Sequence, residues 1–362
     1  MVKRINIVNG IFDRWKVVGY EGNKRFKCER LKSNNRYLVR TCKLKDIAYK
    51  KHGINSSGTP IQVQCLSEIK RLLDINKIHY IDKESLDKMS YDFYIEDYKL
   101  VISFIYTLDY INNKKRNQNL TIACRDKGIH LINIFEYEWR DAVKRAKLIN
   151  MIVRNTTKTN IQKIYARNTR IVELDNAYVR DFLDKNHLQG SVHAKIVLAL
   201  TYNNDIVAVM TFGKPRFGDD DGYELLRLAF KSDTEVIGGS EKLFNYFIKN
   251  YNPCSIMSFC AITKFTGRVY HKLGFSESTI ELTSPNYQWV HTESNVYLPR
   301  YQCMKQKLID KGWGTKEETE DSIMRKHGFF KVFDSGNEKY TWYRSYTNKV
   351  ESDKDLIDDF NF

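Results

Sequence analysis

Asp92 is the residue of this 362-residue sequence whose position first suggests chemistry. It heads the apolar run YDFYI, which turns at Glu96–Asp97 and leads into a second apolar run, LVISF. A carboxylate at the head of a strand can help to hold Mg²⁺, which proteins bind through one or two carboxylates together with phosphate oxygens. Metal-assisted hydrolysis of a phosphodiester needs such ligands to position a water molecule. Asp92 without a carboxylate partner is therefore a poor magnesium site.

A second set of candidate residues lies in the C-terminal half. Gly238 and Gly239 open a predicted helix directly after a strand, and backbone N–H groups there can cradle a pyrophosphate. Tight packing alone also selects a glycine pair. His187, in NHLQG, is either a general base or a hydrogen-bonded structural residue near a helix end. Lys214 and Arg216, in FGKPRF, either contact phosphate or are simply solvated.

Positive charge is concentrated in two stretches of the chain. The net charge is +15 and the sequence pI is near 9.3. Residues 1–60 carry fifteen Lys and Arg against four acids, and residues 140–170 carry nine against Asp141 alone. Concentrated positive charge beside aromatic residues predicts a polyanion partner, and we expect double-stranded DNA. A lysine-rich solubility surface is the alternative.

The order of predicted elements divides the chain into three blocks, each followed by a shorter segment. Residues 1–58 contain β-patterned runs and predict a small basic β-rich DNA-binding module, ending at a Gly/Ser/Pro linker. Residues 60–139 begin with a helix and follow an α-β-β-(α)-β order. A basic helical linker at 140–170 precedes an α/β block at 171–300. A helix and hairpin extension (301–345) and an acidic tail (346–362) complete the sequence, which predicts a multidomain α+β and α/β protein.

Candidate DNA-contacting residues come from the two basic stretches. They are Arg14, Lys16, Arg25, Lys27, Arg36, Arg40, Lys144 and Arg145. The stretch from GIFDRW to CKLKD resembles the small AP2-like or homing-type modules that precede phage nuclease domains. That resemblance implies a β-sheet laid against a DNA groove with arginine and aromatic side chains projecting from it.

The run YDFYIEDYKLVISF, with GIHLINIFEYEW after it, resembles the PD-(D/E)xK superfamily, in particular the very-short-patch-repair (Vsr)-like nucleases of phage homing endonucleases. The resemblance implies a magnesium-dependent endonuclease in which Asp92 is the surviving metal ligand. It places Ser103 where the family has an acid, Ile105 where it has a polar residue, and Glu68 as the acid of the first helix. Those departures indicate a decayed or repurposed site, and Ser103→Glu is expected to raise metal binding.

The third block resembles acyltransferases of the GNAT type and, more distantly, Mom, the adenine-modification protein of phage Mu. The resemblance rests on an ordered string of segments, from NHLQG through LALTYNNDIVAVMTFG and YELLRLAF to YHKLGF. It implies a coenzyme A derivative as cofactor. Ala261 stands where the relatives have an acid, so a second catalytic position departs from the family pattern.

These observations predict a protein of the phage homing-endonuclease class that binds duplex DNA and cleaves or nicks it with Mg²⁺. A non-catalytic DNA-binding descendant is the first alternative, and a GNAT- or Mom-like acyl- or base-modifying enzyme is the second. Seven scattered cysteines without a CxxC pair argue against a zinc site and suit a reducing cytoplasm. No apolar run is long enough for a membrane span or a signal peptide.

Overall fold

The computed structural model describes six stretches of the chain with their side chains and a few short strands by backbone alone. The stretches are 61–82, 90–105, 113–157, 161–216, 222–291 and 296–344, and the backbone strands are 11–12, 15–22, 25–30, 33–40, 85–86 and 89. Mixed α and β structure in several sheets confirms the predicted α+β class. Among these residues, no helix is long and apolar enough to cross a membrane.

The N-terminal strands form one antiparallel sheet in chain order, because short turns make sequence neighbours into sheet neighbours. They are β1 (Ile11–Phe12), β2 (Trp15–Gly22), β3 (Arg25–Arg30) and β4 (Ser33–Arg40). Strands β2 to β4 correspond to the three β-patterned runs of the sequence. Arg14 lies outside the described residues.

The middle block has the predicted order of helix, two strands, helix and strand, built on a sheet of order β10-β9-β8-β5. Its elements are α1 (Ile61–Ile75), β5 (Ile81–Asp82), the β6–β7 ribbon (Ser85–Leu86, Met89–Ser90), β8 (Phe93–Ile95), β9 (Leu100–Ile105), α2 (Arg116–Asp126), β10 (His130–Phe135), α3 (Glu136–Arg140) and α4 (Ala142–Thr156). Strands β9 and β10 are parallel, so α2 serves as their crossover.

Alternating side chains of β9 bury both faces of this sheet. Ile102 packs with α1 and α4 residues on one face, and Val101 packs with Leu120 and Cys124 of α2 on the other. Successive residues of a strand point to opposite faces, which is why a continuous apolar run suits this doubly covered strand.

A seven-stranded sheet of order β12-β13-β14-β15-β17-β22-β18 forms the C-terminal core. The elements are β11 (Gln162–Tyr165), β12 (Arg170–Glu173), α5 (Asn176–Asn186), β13 (Ile196–Tyr202), β14 (Asp205–Gly213), β15 (Tyr223–Phe230), β16 (Thr234–Ile237), α6 (Gly239–Tyr251), β17 (Ser255–Ala261), α7 (Arg268–Lys272), β18 (Glu281–Leu282) and β22 (Asn337–Tyr343). Helix α5 covers one face and α6 the other. Asn203 and Asn204, both at positive φ, make the predicted hairpin turn between β13 and β14.

A separate three-stranded sheet of order β20-β19-β21 packs with two short helices. Its elements are β19 (Tyr287–His291), β20 (Tyr297–Pro299), α8 (Lys305–Asp310), α9 (Glu320–Lys326) and β21 (Phe329–Phe333).

Three local predictions differ from the structure. The hairpin predicted within residues 301–345 is wrong, because β21 pairs with β19 whereas β22 pairs with β17 and β18. For the same reason, the segment assigned to an extension at 301–345 supplies a strand of the seven-stranded sheet. Only Ala142–Thr156 of the basic stretch 140–170 is the predicted long helix, since β11 pairs with β16 further along.

Candidate functional site

Asp92 stands at the head of β8, as the sequence predicts, and its carboxylate serves the backbone. Its Oδ2 atom accepts a hydrogen bond of 2.6 Å from the N–H of Phe104 in β9. Phe104 lies two residues beyond Ile102, the β9 partner of the first β8 residue, Phe93. A backbone N–H left unpaired would be costly, so the carboxylate has a structural role at this strand end.

The other predicted nuclease positions are closed by packing. Ser103 is buried and lies opposite Asn133 of β10 in the register, and Ile105 packs against Phe135 and Val332. Glu68 is half-buried on α1 and accepts a hydrogen bond of 3.0 Å from Gln64. Among the residues described with side chains, no group of three His, Cys, Asp or Glu is placed to hold a metal ion.

Glu68 and Asp92 both lie close enough to Cys65 of α1 for their charges to act on its thiol. Burial raises the pKa of the Cys65 thiol well above its usual value, and the charges of Asp92 and Glu68 raise it further, while Arg145 lowers it. Arg145 thus faces this cluster, and Lys144 bonds to the Tyr297 hydroxyl. Both are half-buried, so they are poorly placed for an open DNA surface.

A cavity of about 500 Å³ opens between β15 and β17. These parallel strands pair only at Tyr223–Ile256 and Glu224–Met257 and then diverge, so no described strand pairs with that edge of β15 beyond residue 224. Helix α4 of the middle block, the end of α5 and the loop before α7 form the remaining walls. The volume lies in the range of roughly 300–1,000 Å³ that is usual for small-molecule sites.

The cavity wall is strongly positive. Five lysine and arginine residues line it, with His130 and His187, and no aspartate or glutamate does. The five are Lys147, Arg154, Lys185, Lys264 and Arg268, of which Lys264 forms an ion pair of 2.9 Å with Glu138. A concave, low-dielectric site lined by one sign of charge attracts ligands of the opposite sign. The wall is therefore suited to an anionic ligand.

His187, one of the candidate residues from sequence, lines this cavity. Burial, with the nearby positive charges of Arg227 and Lys147, lowers its pKa to about 3, so the ring is neutral at physiological pH. Its Nδ1 atom accepts a hydrogen bond of 3.2 Å from the Gln189 N–H. The ring proton therefore resides on Nε2, which makes His187 a hydrogen-bond donor rather than a ready base.

Tyr270 lines the cavity with a hydroxyl-bearing side chain. Its oxygen lies 3.0 Å from Ser258 Oγ and 3.4 Å from the Phe259 carbonyl oxygen. Burial raises the pKa of this phenol, so it keeps its proton throughout the physiological range. Ala261 also lines the cavity, at the position where the resemblance leads one to expect an acid. Burial raises the pKa of the neighbouring Cys260 thiol to about 12, so that thiol is not a nucleophile.

The glycine pair does not line the cavity. A Cβ on Gly239 would approach Val236 Cγ1 to 2.9 Å and Phe230 Cε1 to 3.0 Å, so close packing requires glycine there. Gly238, at φ +75°, begins α6 against Ala166. The predicted pyrophosphate cradle is thus separated from the positively lined cavity, and close packing accounts for the glycine pair.

The two basic loop residues also lie apart from the cavity. Arg216 makes a bidentate ion pair with the buried Glu224, at 2.6 Å from its Nη2 atom, and its guanidinium lies over Phe259. Lys214 is exposed. Arg216 is therefore poorly suited to contact phosphate, because its charge is paired with that of Glu224.

Sequence reasoning missed most of the cavity. Lys147 and Arg154 belong to the basic stretch 140–170, and nothing in the sequence links their shared helix face with the third block. Tyr270 lies in YHKLGF, a segment that contributes to the resemblance but predicts no role for the tyrosine. A signal existed for α4, because cations seven residues apart flank buried Leu148 and Ile152 and so mark one helical face.

No protein-family model matches this chain, and no curated protein matches it. Three solved structures show weak similarity. A putative acetyltransferase from Salmonella typhimurium with acetyl-CoA is 13% identical, covers 49% of this chain and 94% of its own, and has a TM-score of 0.28. A Bacillus subtilis acetyltransferase in complex with CoA is 9% identical over 48% and 98%, with a TM-score of 0.25. A GNAT family acetyltransferase from Elizabethkingia anophelis with acetyl-CoA bound is 12% identical over 49% and 98%, with a TM-score of 0.24. Similarity at this level assigns neither substrate nor activity.

Proposed function

We propose that the C-terminal block is an acyl-modifying enzyme that uses a coenzyme A thioester in the cavity between β15 and β17. The observation that carries the proposal is the divergence of these strands after two paired positions, which opens a positively lined cavity inside a sheet. Sheets seldom leave an internal edge unpaired, because buried backbone polar groups need partners. A ligand with amide groups can supply them.

The residues present suit coenzyme A in two respects and differ from expectation in one. The unpaired edge of β15 offers N–H and C=O groups to the amides of the pantetheine arm, and the cationic wall offers charge to its phosphates. The glycine pair, which the sequence suggested for the pyrophosphate, packs elsewhere. The fit therefore rests on side-chain cations rather than on a helix N-terminus.

A coenzyme A thioester bound there would supply an activated acyl group to an acceptor, and the coenzyme A sulfur would leave as a thiol after taking up a proton. We assign the donation of that proton to Tyr270, which lines the cavity and carries its proton throughout the physiological range. His187 supplies an Nε2–H donor to the same cavity. General acid catalysis of this kind contributes typically 10²- to 10⁴-fold to a rate.

The first test is calorimetric titration of the full chain with coenzyme A and acetyl-CoA, followed by thiol release with and without duplex DNA. We expect Tyr270→Phe to lower the rate by about 10²-fold or more while leaving the dissociation constant nearly unchanged. Tyr178→Phe, on the exposed surface of α5, is the matched control. Failure of the unaltered protein to bind either ligand would reject this function.

We also propose that the N-terminal sheet binds double-stranded DNA. In β3 and β4, Arg25 lies opposite Arg40 and Glu29 opposite Arg36, while Lys16 of β2 lies opposite Glu29. Opposed residues in an antiparallel pair, and residues two apart in one strand, share a face. The register therefore places five of the predicted contact positions on one face: Lys16, Arg25, Lys27, Arg36 and Arg40.

The opposite face of that sheet is mainly apolar, with Val17, Phe26, Cys28, Tyr37 and Val39 at its positions. This two-sided pattern favours a DNA-contacting face over evenly spread solubilising charge. Lys27→Gln and Arg40→Gln should each lower the log–log salt slope of duplex binding by about 0.9. Arg30→Gln, on the apolar face, should leave that slope unchanged. Equal slopes for all three variants would refute the assignment of this face.

The middle block is proposed as a non-catalytic descendant of the nuclease class. Asp92 serves the Phe104 N–H, and Ser103 and Ile105 are buried, so magnesium-dependent cleavage has little support from the geometry. A catalytic role in DNA base modification stays the alternative use of the cavity, and thiol release that depends on DNA would favour it.

A further inference from the structure

One face of α4 carries cations into the cavity wall from outside the C-terminal block. Lys147 and Arg154 lie seven residues apart, with Asn150 and Met151 between them, and all four line the cavity. Two turns of helix separate the cations by about 10 Å along the axis. The opposite face packs Leu148 and Ile152 into the middle block. Helix α4 therefore connects the two blocks and presents charge to the cavity.

Both of these cations donate to backbone carbonyls. Lys147 Nζ donates to the His187 carbonyl at 2.8 Å, and the Arg154 guanidinium donates to the Thr234 carbonyl at 2.8 Å. Within the described part of the chain neither forms a salt bridge, although the charges of Asp184 and Asp141 act on Lys147 and those of Glu235 and Asp233 act on Arg154. Burial is the larger influence and lowers the pKa of both groups from their ordinary values.

Half-buried cations that face a cavity without counter-charge are costly unless something compensates them. Carbonyl oxygens satisfy only some of the donors, since a lysine has three and an arginine five. No aspartate or glutamate lines the cavity, so negative charge reaches Lys147 and Arg154 only from outside its wall. An anionic ligand placed along α4 would supply it from within.

We propose that Lys147 and Arg154 form a phosphate-binding wall on α4 for a phosphorylated small molecule, namely the nucleotide end of a coenzyme A thioester. The inference rests on the proposed function for the choice of cofactor. It moves the phosphate site from the glycine pair of the C-terminal block to a helix of the middle block. The middle block thereby becomes part of the cofactor site.

The size of the cavity favours a small ligand over a nucleic-acid strand. The cations line a space of about 500 Å³, and Arg154 is held at the loop by its hydrogen bond to the Thr234 carbonyl. His187 adds a neutral Nε2–H donor at the same end, and the charge of Lys147 acts on its ring. Charged and neutral donors together are suited to phosphate oxygens.

The experiment is a calorimetric titration of the full chain with coenzyme A, pantetheine and inorganic pyrophosphate. The proteins are the unaltered chain, Lys147→Met, Arg154→Met and Lys249→Met. Lys249 provides the matched control because it is an exposed lysine on α6 that does not line the cavity. We expect Lys147→Met and Arg154→Met each to weaken coenzyme A binding about tenfold to a hundredfold. Pantetheine, which has no phosphate, should bind all four proteins equally.

Each result bears on one proposal or the other. Coenzyme A binding that survives in both Lys147→Met and Arg154→Met would overturn the wall while leaving the acyl-transfer proposal in place. Pyrophosphate binding that requires Lys147, in a protein that ignores coenzyme A, would support the wall and reject the cofactor. Binding of neither probe overturns both. Arg154→Met also removes the contact to the loop at Thr234. If this variant and the unaltered protein have equal melting temperatures, its effect on binding is local. If the melting temperatures differ, the binding result for Lys147→Met alone decides whether the phosphate-binding wall exists.

Discussion

The two catalytic regions suggested by the sequence differ in what replaced their missing acids. Around Ser103 the position is filled, since neighbouring strands, α2 and residues of the C-terminal sheets bury it. Around Ala261 the position opens onto a cavity of about 500 Å³. A lost carboxylate therefore does not by itself mean a lost site. What matters is whether packing has taken the space.

The closed region is held by a polar contact between the middle and C-terminal blocks. Lys264 is 3% exposed, and its ammonium lies 2.9 Å from a Glu138 oxygen and donates to the Asn133 carbonyl at 2.7 Å. Thr121 and Ser335 continue the contact with a hydrogen bond of 2.8 Å. Because these polar groups bond to one another, this face of the middle sheet is occupied by the contact with the C-terminal block.

Replacing Ser103 by Glu offers the sharpest contrast. The resemblance to nucleases leads one to expect better metal binding, but the structure buries Ser103 almost fully in a central strand. A carboxylate there lacks water and a counter-ion, so we expect a loss of about 3–5 kcal/mol in unfolding free energy. Urea denaturation with and without magnesium measures it, and Ser103→Ala is the control. A stable Ser103→Glu protein that binds magnesium would reopen the nuclease site.

Lys264→Met tests the contact between the blocks. It leaves Glu138 buried without its cation, and breaking such a pair costs about 3–5 kcal/mol. Glu138→Gln added to it should restore part of the loss, because an amide oxygen still accepts from the Phe135 N–H. Lys339→Met, which breaks an exposed pair with Glu281, should cost about 0–1 kcal/mol. Similar denaturation midpoints for Lys264→Met and Lys339→Met would contradict the importance of burial here.

The sequence revealed local structure well and distant pairing poorly. The pair Asn203–Asn204 predicts a hairpin turn, because asparagine tolerates the positive φ that both positions adopt. The apolar run LVISF predicts a strand that is covered on both faces. Strand β22 joins β17 from about eighty residues away, and nothing local in its sequence specifies that partner. Gly267 shows why: a Cβ there would meet Tyr340 Oη at 2.1 Å, a constraint visible only after folding.

The cavity was hidden for the same reason. Its cations come from α4, α5 and the region after β17, which are separated by many residues. Their charges predicted an anionic partner, but composition alone did not say that Lys147 and Arg268 would share one cavity.

The pH dependence of stability gives a smaller test of the interface. Burial raises the pKa of Asp334 to about 6, above its value of about 3.8 in an unfolded chain. The folded state therefore binds the proton more tightly, so this group favours folding below pH 4 and that contribution is lost as the pH rises through 6. Asp334→Asn keeps an oxygen for the Asn286 and Gly336 N–H groups and removes the titration. Between pH 4 and 7 the unaltered protein should lose about 2–3 kcal/mol relative to Asp334→Asn, measured by urea denaturation. Parallel pH profiles for the two proteins would contradict this assignment.

Asp92 gives the smallest expected effect and separates a structural carboxylate from a catalytic one. Asp92→Asn keeps an oxygen that can accept from the Phe104 N–H, so its unfolding free energy should change by less than about 1 kcal/mol. Asp92→Ala removes that acceptor at a partly buried strand end and should cost about 1–3 kcal/mol. A metal ligand would behave differently: both changes would abolish magnesium-dependent cutting of duplex DNA, since an amide is a weak substitute for a carboxylate at magnesium. Denaturation midpoints and a cleavage gel, run on the same three proteins, therefore distinguish the roles. A structural role is supported if Asp92→Ala lowers the unfolding free energy more than Asp92→Asn does and the unaltered protein does not cut DNA. Robust cutting by the unaltered protein that Asp92→Asn abolishes would instead make the middle block a working nuclease.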